Sequence, residues 1–255
     1  MLIHRIVTFS CILIGIVLMY FVFKGKISFL WLFVPLFCWL GLTSWGAFDL
    51  RLNYFTTVFT KAETNKKLIA LTFDDGPTEF TPQILDLLKK NQAKATFFCI
   101  GSQIEKYPEI LKRIIKEGHQ VANHTFSHTN KMGFLSKDEV IDEISKTDSI
   151  LMKFGVKSND FRPPFGVTNP NIAKAISATN KQVIGWNIRS LDTVIEDENK
   201  ILKRIVPNLK PGSIVLLHDK FQRSVNVLEQ LLQVLKENNY ETLTVSQLKN
   251  INHEN

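Results

Sequence analysis

Acidic residues are absent from the first 48 positions of this 255-residue chain, where the only fixed charges are Arg5, Lys24 and Lys26. That absence excludes an ordinary soluble core there and points to segments made for a bilayer. Cysteine is scarce as well: of three, Cys11 and Cys38 fall in the apolar segments and only Cys99 in the remainder, so no disulfide framework is implied. There is no internal repeat and no low-complexity tract. Beyond residue 48, 28 Lys and Arg stand against 24 Asp and Glu. Such an excess suits an anionic substrate or a lipid surface, but it lacks the clustered basic stripe of a nucleic-acid binder, so nucleic acid is not an expected partner. No protein partner is implied. With 45% apolar and 11% aromatic residues the chain is neither disordered nor fibrous.

The apolar segments are two. Residues 6–23 and 27–48 carry no charge, and at about 1.5 Å of rise per residue each is long enough to cross a hydrocarbon layer. Only Lys24, Gly25 and Lys26 separate them, so a transmembrane helical hairpin is expected, with both of its ends on one side. Trp31 and Trp45 fall where an aromatic belt would sit. A cleaved signal peptide is the weaker alternative, because no small-x-small site follows the first run. The two turn lysines favour a cytoplasmic turn, which places the rest of the chain on the extracytoplasmic side of the cytoplasmic (inner) membrane, as part of a multi-pass protein. The expected organisation is a membrane anchor over 1–48, a linker over 49–66 and one domain over 67–255.

In that domain strand-like and helix-like segments alternate, the pattern of βα repeats. Strands are expected at 68–73, 95–100, 120–123, 161–162, 182–186 and 213–218. Helices are expected at 78–91, 107–117, 136–154, 171–179, 197–209 and 222–238. Ser136 with Glu139 reads as a capping box, and Gly118 as a helix stop. Six or seven strands among helices suggest an α/β fold, an irregular or incomplete (β/α) barrel; an open doubly wound sheet fits the same periodicity.

The unusual polar residues fall at strand ends, where parallel α/β folds bind ligands. Asp74 and Asp75 end the first strand in Thr72-Phe73-Asp74-Asp75-Gly76-Pro77. Two adjacent carboxylates repel unless a cation is near; alone they read equally as a solvated turn. His124 and His128, four residues apart after the strand at 120–123, could meet one ion, although loop histidines are often surface residues. Two imidazoles and one carboxylate would leave coordination positions open, as in a catalytic site. A third strand end carries Arg162-Pro163-Pro164-Phe165-Gly166, whose prolines stop a ladder strand and whose arginine suits a carboxylate. The last strand runs into His218, a proton donor if it faces the same cleft, and Asp192 follows a further strand end and could keep that histidine protonated.

Taken in order, the motifs around Asp74-Asp75, His124 to His128, Arg162-Pro163-Pro164-Phe165, Asp192 and Leu216-Leu217-His218 resemble those of NodB-type polysaccharide deacetylases, metal-dependent carbohydrate esterases that remove acetyl groups from glycans. The likeness covers about 66–248. It implies that Asp75, His124 and His128 hold one divalent metal ion, usually zinc in that family, and that Asp74 is the general base toward water. It also implies that Arg162 positions Asp74, that His218 supported by Asp192 protonates the leaving amine, and that the Phe165 N–H helps hold the oxyanion. Leu216 would line the pocket for the acetyl methyl.

One motif departs from the family pattern: Arg189 stands where that pattern has an acidic residue, and Thr193 replaces a tryptophan. Arg189 either grips an anionic group of the substrate, or pairs with Asp192 or simply points to water. The function expected is a membrane-anchored hydrolase removing N-acetyl groups from an amino-sugar polysaccharide such as peptidoglycan. Deacylation of a polyprenyl-phosphate-linked sugar is the second enzyme reading, and a catalytically silent sugar-binding module is a third. A non-haem iron oxygenase also uses two histidines and a carboxylate, but on a β-rich fold that this alternation does not suggest.

Overall fold

The computed structural model describes residues 2–251. The first apolar run forms α1 (Leu2–Phe23), a turn follows with Gly25 at φ +63°, and a 3₁₀ turn capped by the Ser28 hydroxyl leads into α2 (Phe33–Phe48). Trp39 Nε1 donates to Thr8 Oγ1 at 2.9 Å and ties the two helices together. The stretches Ile3–Phe23 and Phe29–Phe48 are long and apolar enough to cross a membrane. Their side chains mostly point away from the rest of the chain, with Ile6, Phe9, Ile12 and Phe37 exposed.

The rest of the chain runs β1 (Val58–Phe59), β2 (Leu68–Asp74), α3 (Thr81–Lys90), β3 (Ala95–Cys99), α4 (Gly101–Lys106), α5 (Pro108–Lys116) and β4 (Gln120–Asn123). It continues through α6 (Lys137–Lys153), β5 (Asp160–Phe161), α7 (Pro170–Ala178), β6 (Gln182–Ile184), β7 (Ile188–Arg189) and α8 (Glu198–Ile205). It ends with β8 (Ile214–His218), α9 (Gln222–Glu237), β9 (Glu241–Leu243) and α10 (Val245–Asn250). The strands form one nine-stranded sheet in the order β1-β6-β5-β4-β3-β2-β8-β7, with β9 against β2. Every strand pair is parallel.

Residues 182–189 explain why the sheet curls without closing as a regular ladder. They supply β6 near one end of the strand order and β7 at the other. Between them Gly185 N donates to Phe59 O at 2.9 Å and Asn187 N to Ile214 O at 3.3 Å, so the chain changes partners within three residues. The result is the incomplete barrel expected from the alternation, not an open doubly wound sheet.

Helix faces follow the apolar spacing. Ile84 and Leu88 of α3, Leu111 and Ile114 of α5 and Leu228, Leu231 and Leu235 of α9 are buried against the sheet, around Phe73 and Phe97 stacked at 5.2 Å. The Ser136 hydroxyl and the Glu139 carboxylate complete the reciprocal capping box of α6, and α5 stops before Gly118 at φ +74°.

Two expectations are corrected. The six or seven strands become nine, because β1, the short β7 and β9 have too few residues to show a periodicity. Residues 49–66, expected as a linker, are instead built into the fold: Val58 pairs with Val183 across β1 and β6, and Leu50, Tyr54, Phe55 and Ala62 are buried. The hairpin is docked through the same stretch. Thr168 N donates to Ala47 O at 3.0 Å, Thr43 Oγ1 meets the Tyr54 hydroxyl at 3.2 Å, and Gly46 lies so close to the Tyr54 ring that no larger residue fits.

Candidate active site

Because the strands run parallel, their carboxyl ends share one rim, and the polar residues of the motifs collect there. Asp74 closes β2 and sits in register with His218 at the end of β8. His124 and Arg162 directly follow β4 and β5. Asp75 leaves the strand at φ +77°, which turns its carboxylate away from the ladder toward the histidines. Asp74, Asp75, His124 and His218 line a cavity of about 280 Å³ together with His128, Phe165, Leu216 and Arg189, with Arg162 buried behind them.

Asp75, His124 and His128 each present one ligand atom, all within 4.8 Å of one another. His128 Nε2 lies 3.3 Å and His124 Nε2 3.6 Å from Asp75 Oδ1. Ligand atoms about 2.0–2.1 Å from a tetrahedral zinc ion stand about 3.3 Å apart, so this spacing fits a small divalent cation. The donor chemistry fits too. His124 Nδ1 meets the Arg162 carbonyl at 2.7 Å, so it carries the proton and leaves the Nε2 lone pair facing the site. Burial and the charge of His124 pull His128 down to about 4, which keeps its imidazole neutral and able to ligate. Burial alone would raise the Asp75 carboxyl, but in acid, where the imidazoles are protonated, the hydrogen bond and charge of His124, with the charges of His128 and His218, hold it well below the usual carboxylate range.

The histidine loop is held from outside the site. Asn123 Oδ1 accepts from Thr125 N at 2.8 Å, while its amide donates to Ile144 O and Asp148 Oδ1 at 2.9 and 2.8 Å. The Glu143 carboxylate accepts from Phe126 N, Ser127 N and Ser127 Oγ at 2.8–3.0 Å. Thr125 and His128 take positive φ, +66° and +49°, and these bonds offset that strain.

Asp74 is paired differently from its neighbour. Its Oδ1 accepts from Arg162 Nη1 at 2.6 Å, leaving Oδ2 toward His124 Nε2 at 3.8 Å. Arg162 is fully buried, and its other donors reach Thr72 Oγ1, Ile184 O and Gly185 O at 2.8–3.0 Å. With Phe98 stacked 4.0 Å from the guanidinium, Arg162 is a fixed strut and not a surface arginine.

On the opposite wall His218 Nδ1 donates to Asp192 Oδ1 at 2.7 Å, and His218 N to Asp192 Oδ2 at 2.8 Å. Ser190 and Ser224 hydroxyls complete four hydrogen bonds to this buried carboxylate, at 2.9 and 2.8 Å. Burial opposes charge on His218, yet its bond to Asp192 and the charges of Asp192, Asp74 and Asp75 raise its pKa above the ordinary 6.5. Asp192 is correspondingly lowered, by His218 and Ser224 against its own burial.

Leu216 is buried in the floor of the cavity, and Phe165, at φ +60°, stands half exposed at its rim 4.8 Å from the His128 ring. Arg189 reaches the same rim but does not pair with Asp192, whose oxygens are taken by Ser190, His218 and Ser224. Three residues escaped the sequence reading. Trp186 walls the cavity beside Arg189, and Lys220 Nζ stands 3.8 Å from Asp75 Oδ2. Asp219 is buried beneath the rim, accepts from Thr81 Oγ1 at 2.6 Å and is pushed by burial up to about 7. Trp186 at a strand end was a usable signal. Nothing in the sequence links Asp219 to Thr81, 138 positions earlier.

Residues 61–184 match the family model of the polysaccharide deacetylases. The chain is 40% identical over 178 residues to a peptidoglycan-N-acetylglucosamine deacetylase of Bacillus cereus, covering 68% of this chain and 64% of that one. It is 36% identical over 191 residues to the peptidoglycan-N-acetylmuramic acid deacetylase PdaC of Bacillus subtilis, covering 74% of this chain and 40% of PdaC. The crystal structure of the Bc1960 peptidoglycan N-acetylglucosamine deacetylase superposes with a TM-score of 0.71 at 36% identity, over 75% of this chain and 92% of that one. The chain belongs to the polysaccharide deacetylase family. It thus spans less than two thirds of the length of the first two of these relatives.

Proposed function

We propose that the protein is a membrane-anchored, metal-dependent deacetylase that hydrolyses the N-acetyl groups of amino sugars in peptidoglycan. One observation carries this reading: a three-ligand cluster lies between a carboxylate fixed by a buried arginine and a histidine fixed by a buried aspartate, all facing one cavity. The relatives' names supply the substrate class.

Asp75, His124 and His128 would hold the divalent ion, which when bound acidifies water and polarises a carbonyl. Asp74, with Oδ1 tied to Arg162, takes a proton from the attacking water on Oδ2. The water oxygen bonds to the acetyl carbon, and the Phe165 N–H would donate to the developing oxyanion. His218 Nε2 then gives its proton to the sugar nitrogen as the C–N bond breaks, leaving acetate and a free amine. The raised His218 pKa keeps that proton available near neutrality. Leu216 shapes the floor for the methyl group, and Arg189 meets the glycan at the rim.

The hairpin anchors this domain in the cytoplasmic membrane with the loop lysines inside and the cleft outside, where the glycan is. The test is acetate release from N-acetylated peptidoglycan by the purified full-length chain loaded with zinc, against the same chain treated with a chelator. Metal-dependent release supports the reading; no release from any N-acetylated glycan defeats it.

A further inference from the structure

Trp186 and Arg189 wall two cavities at once. One is the catalytic cavity, and the other, also about 280 Å³, is closed by Trp45, Phe48 and Arg51. Trp45 and Phe48 belong to the last turns of α2, outside the segment matched by the family model, so this second wall comes from the apolar hairpin.

The junction is packed and specific. Leu50 lies between the glycines flanking Trp186: a Cβ on Gly185 would stand 3.4 Å from Leu50 Cδ1, and one on Gly166 would stand 3.5 Å from it and 2.6 Å from the Trp186 ring. Asp49 then binds Arg51 through both oxygens, at 2.9 and 2.7 Å, which neutralises that cation. Arg189 differs. Among the described residues its guanidinium forms no hydrogen bond or ion pair, and it stands 5.8 Å from the Trp186 ring. An aromatic wall of Trp45, Phe48 and Trp186 suits the C–H face of a pyranose, and a free planar fork beside it suits a carboxylate.

We propose that this second cavity is a saccharide subsite, completed by the end of α2, that takes a carboxylate-bearing sugar unit next to the unit being deacetylated. The proposal rests on the deacetylase reading of the catalytic cavity. Its consequence is that the hairpin is part of the substrate-binding surface as well as an anchor. The carboxylate has two sources in peptidoglycan, the lactyl group of a bare muramyl unit or the stem peptide attached to it.

The experiment uses the full-length chain in detergent micelles and four N-acetylated substrates. These are the monosaccharide N-acetylglucosamine, which can fill the catalytic cavity alone, neutral chitotetraose, an alternating glucosaminyl–muramyl tetrasaccharide with free lactyl groups, and the same tetrasaccharide bearing stem peptides. Arg189→Ala should raise KM for the bare muramyl tetrasaccharide at least tenfold relative to chitotetraose, with kcat moving far less, in line with loss of a hydrogen bond to a charged group. Trp45→Ala should raise KM for all three tetrasaccharides relative to the monosaccharide. A selective loss on the bare muramyl glycan assigns the lactyl carboxylate, and a selective loss on the peptide-bearing one assigns the peptide. Equal losses on all four substrates, or none, overturn the subsite while leaving the deacetylase reading intact. Failure of the wild type on every glycan overturns both.

Discussion

Replacing Asp192 with asparagine tests the His218 side of the mechanism directly. The Asp192 carboxylate accepts four hydrogen bonds, from Ser190 Oγ, Ser224 Oγ and both His218 N and Nδ1. An asparagine of the same shape keeps one oxygen but turns two donors toward partners that also donate. The best arrangement leaves its oxygen on His218 N and Ser224, and faces its NH₂ toward Nδ1, which must then give up its proton. Burial and the facing NH₂ then outweigh the remaining charges of Asp74 and Asp75, and the His218 pKa should fall below the ordinary 6.5. Loss of one hydrogen bond to a charged group costs about 1.5–3 kcal/mol. Loss of a general acid lowers turnover by roughly 10²–10⁴.

The same variant alters the pH dependence of stability. Folding raises His218 above 6.5, so its contribution is complete below that pH and fades as the pH climbs through the folded value. Folding lowers Asp192 below 3.8, so its contribution is present above that pH and is lost only as the pH falls through the lower folded value. Between those limits wild type should exceed Asp192→Asn in melting temperature, and the gap should narrow above pH 6.5. Titration of the His218 ring by NMR together with kcat/KM on a glycan substrate reads both effects. A variant whose His218 still titrates above 6.5, with turnover near wild type, would refute the assigned hydrogen-bond network.

Asp75→Ala or His128→Ala should abolish zinc binding in calorimetric titration of the full-length chain, whereas Asp74→Asn should keep the metal and lose turnover. Because His128 sits at about 4, protons should compete with the metal for this ligand only as the pH falls toward that value. Arg162→Met leaves the buried Asp74 carboxylate without its cation and should destabilise the fold by about 3–5 kcal/mol, seen as a lower melting temperature that Asp74→Asn partly restores. With Cys11 and Cys38 replaced by serine, an Asn65→Cys variant should react with an impermeant thiol reagent in intact cells. Labelling only after lysis would place the domain on the cytoplasmic side.

The candidate site was legible in the sequence to the extent that its chemistry sits in local motifs. Asp74-Asp75, His124 with His128, Arg162 before its prolines, and His218 each end or follow a strand, and a parallel sheet brings every such end to one rim. The long strands and helices were legible for a similar reason: Leu68–Asp74, Gln120–Asn123 and Lys137–Lys153 carry their own periodicity or caps. Short elements were not, because a two-residue strand such as Val58–Phe59 has no period and exists only through its partner Val183–Ile184.

Sequence by itself therefore determined the two apolar segments, the βα alternation and the candidate ligand and proton-transfer residues, since each depends on residue type and near-neighbour spacing. Tertiary structure alone decided the pairings. It set Arg162 against Asp74 across 88 positions and His218 against Asp192 across 26, and it denied Asp192 to Arg189 by filling its oxygens with serine hydroxyls and His218. It also turned residues 49–66 from an expected linker into a docked segment that brings Trp45 and Phe48 to the second cavity beside Trp186 and Arg189. Such contacts depend on how the curled sheet superimposes distant strand ends and on which side chains fill the space between them, and no local pattern in the chain encodes either.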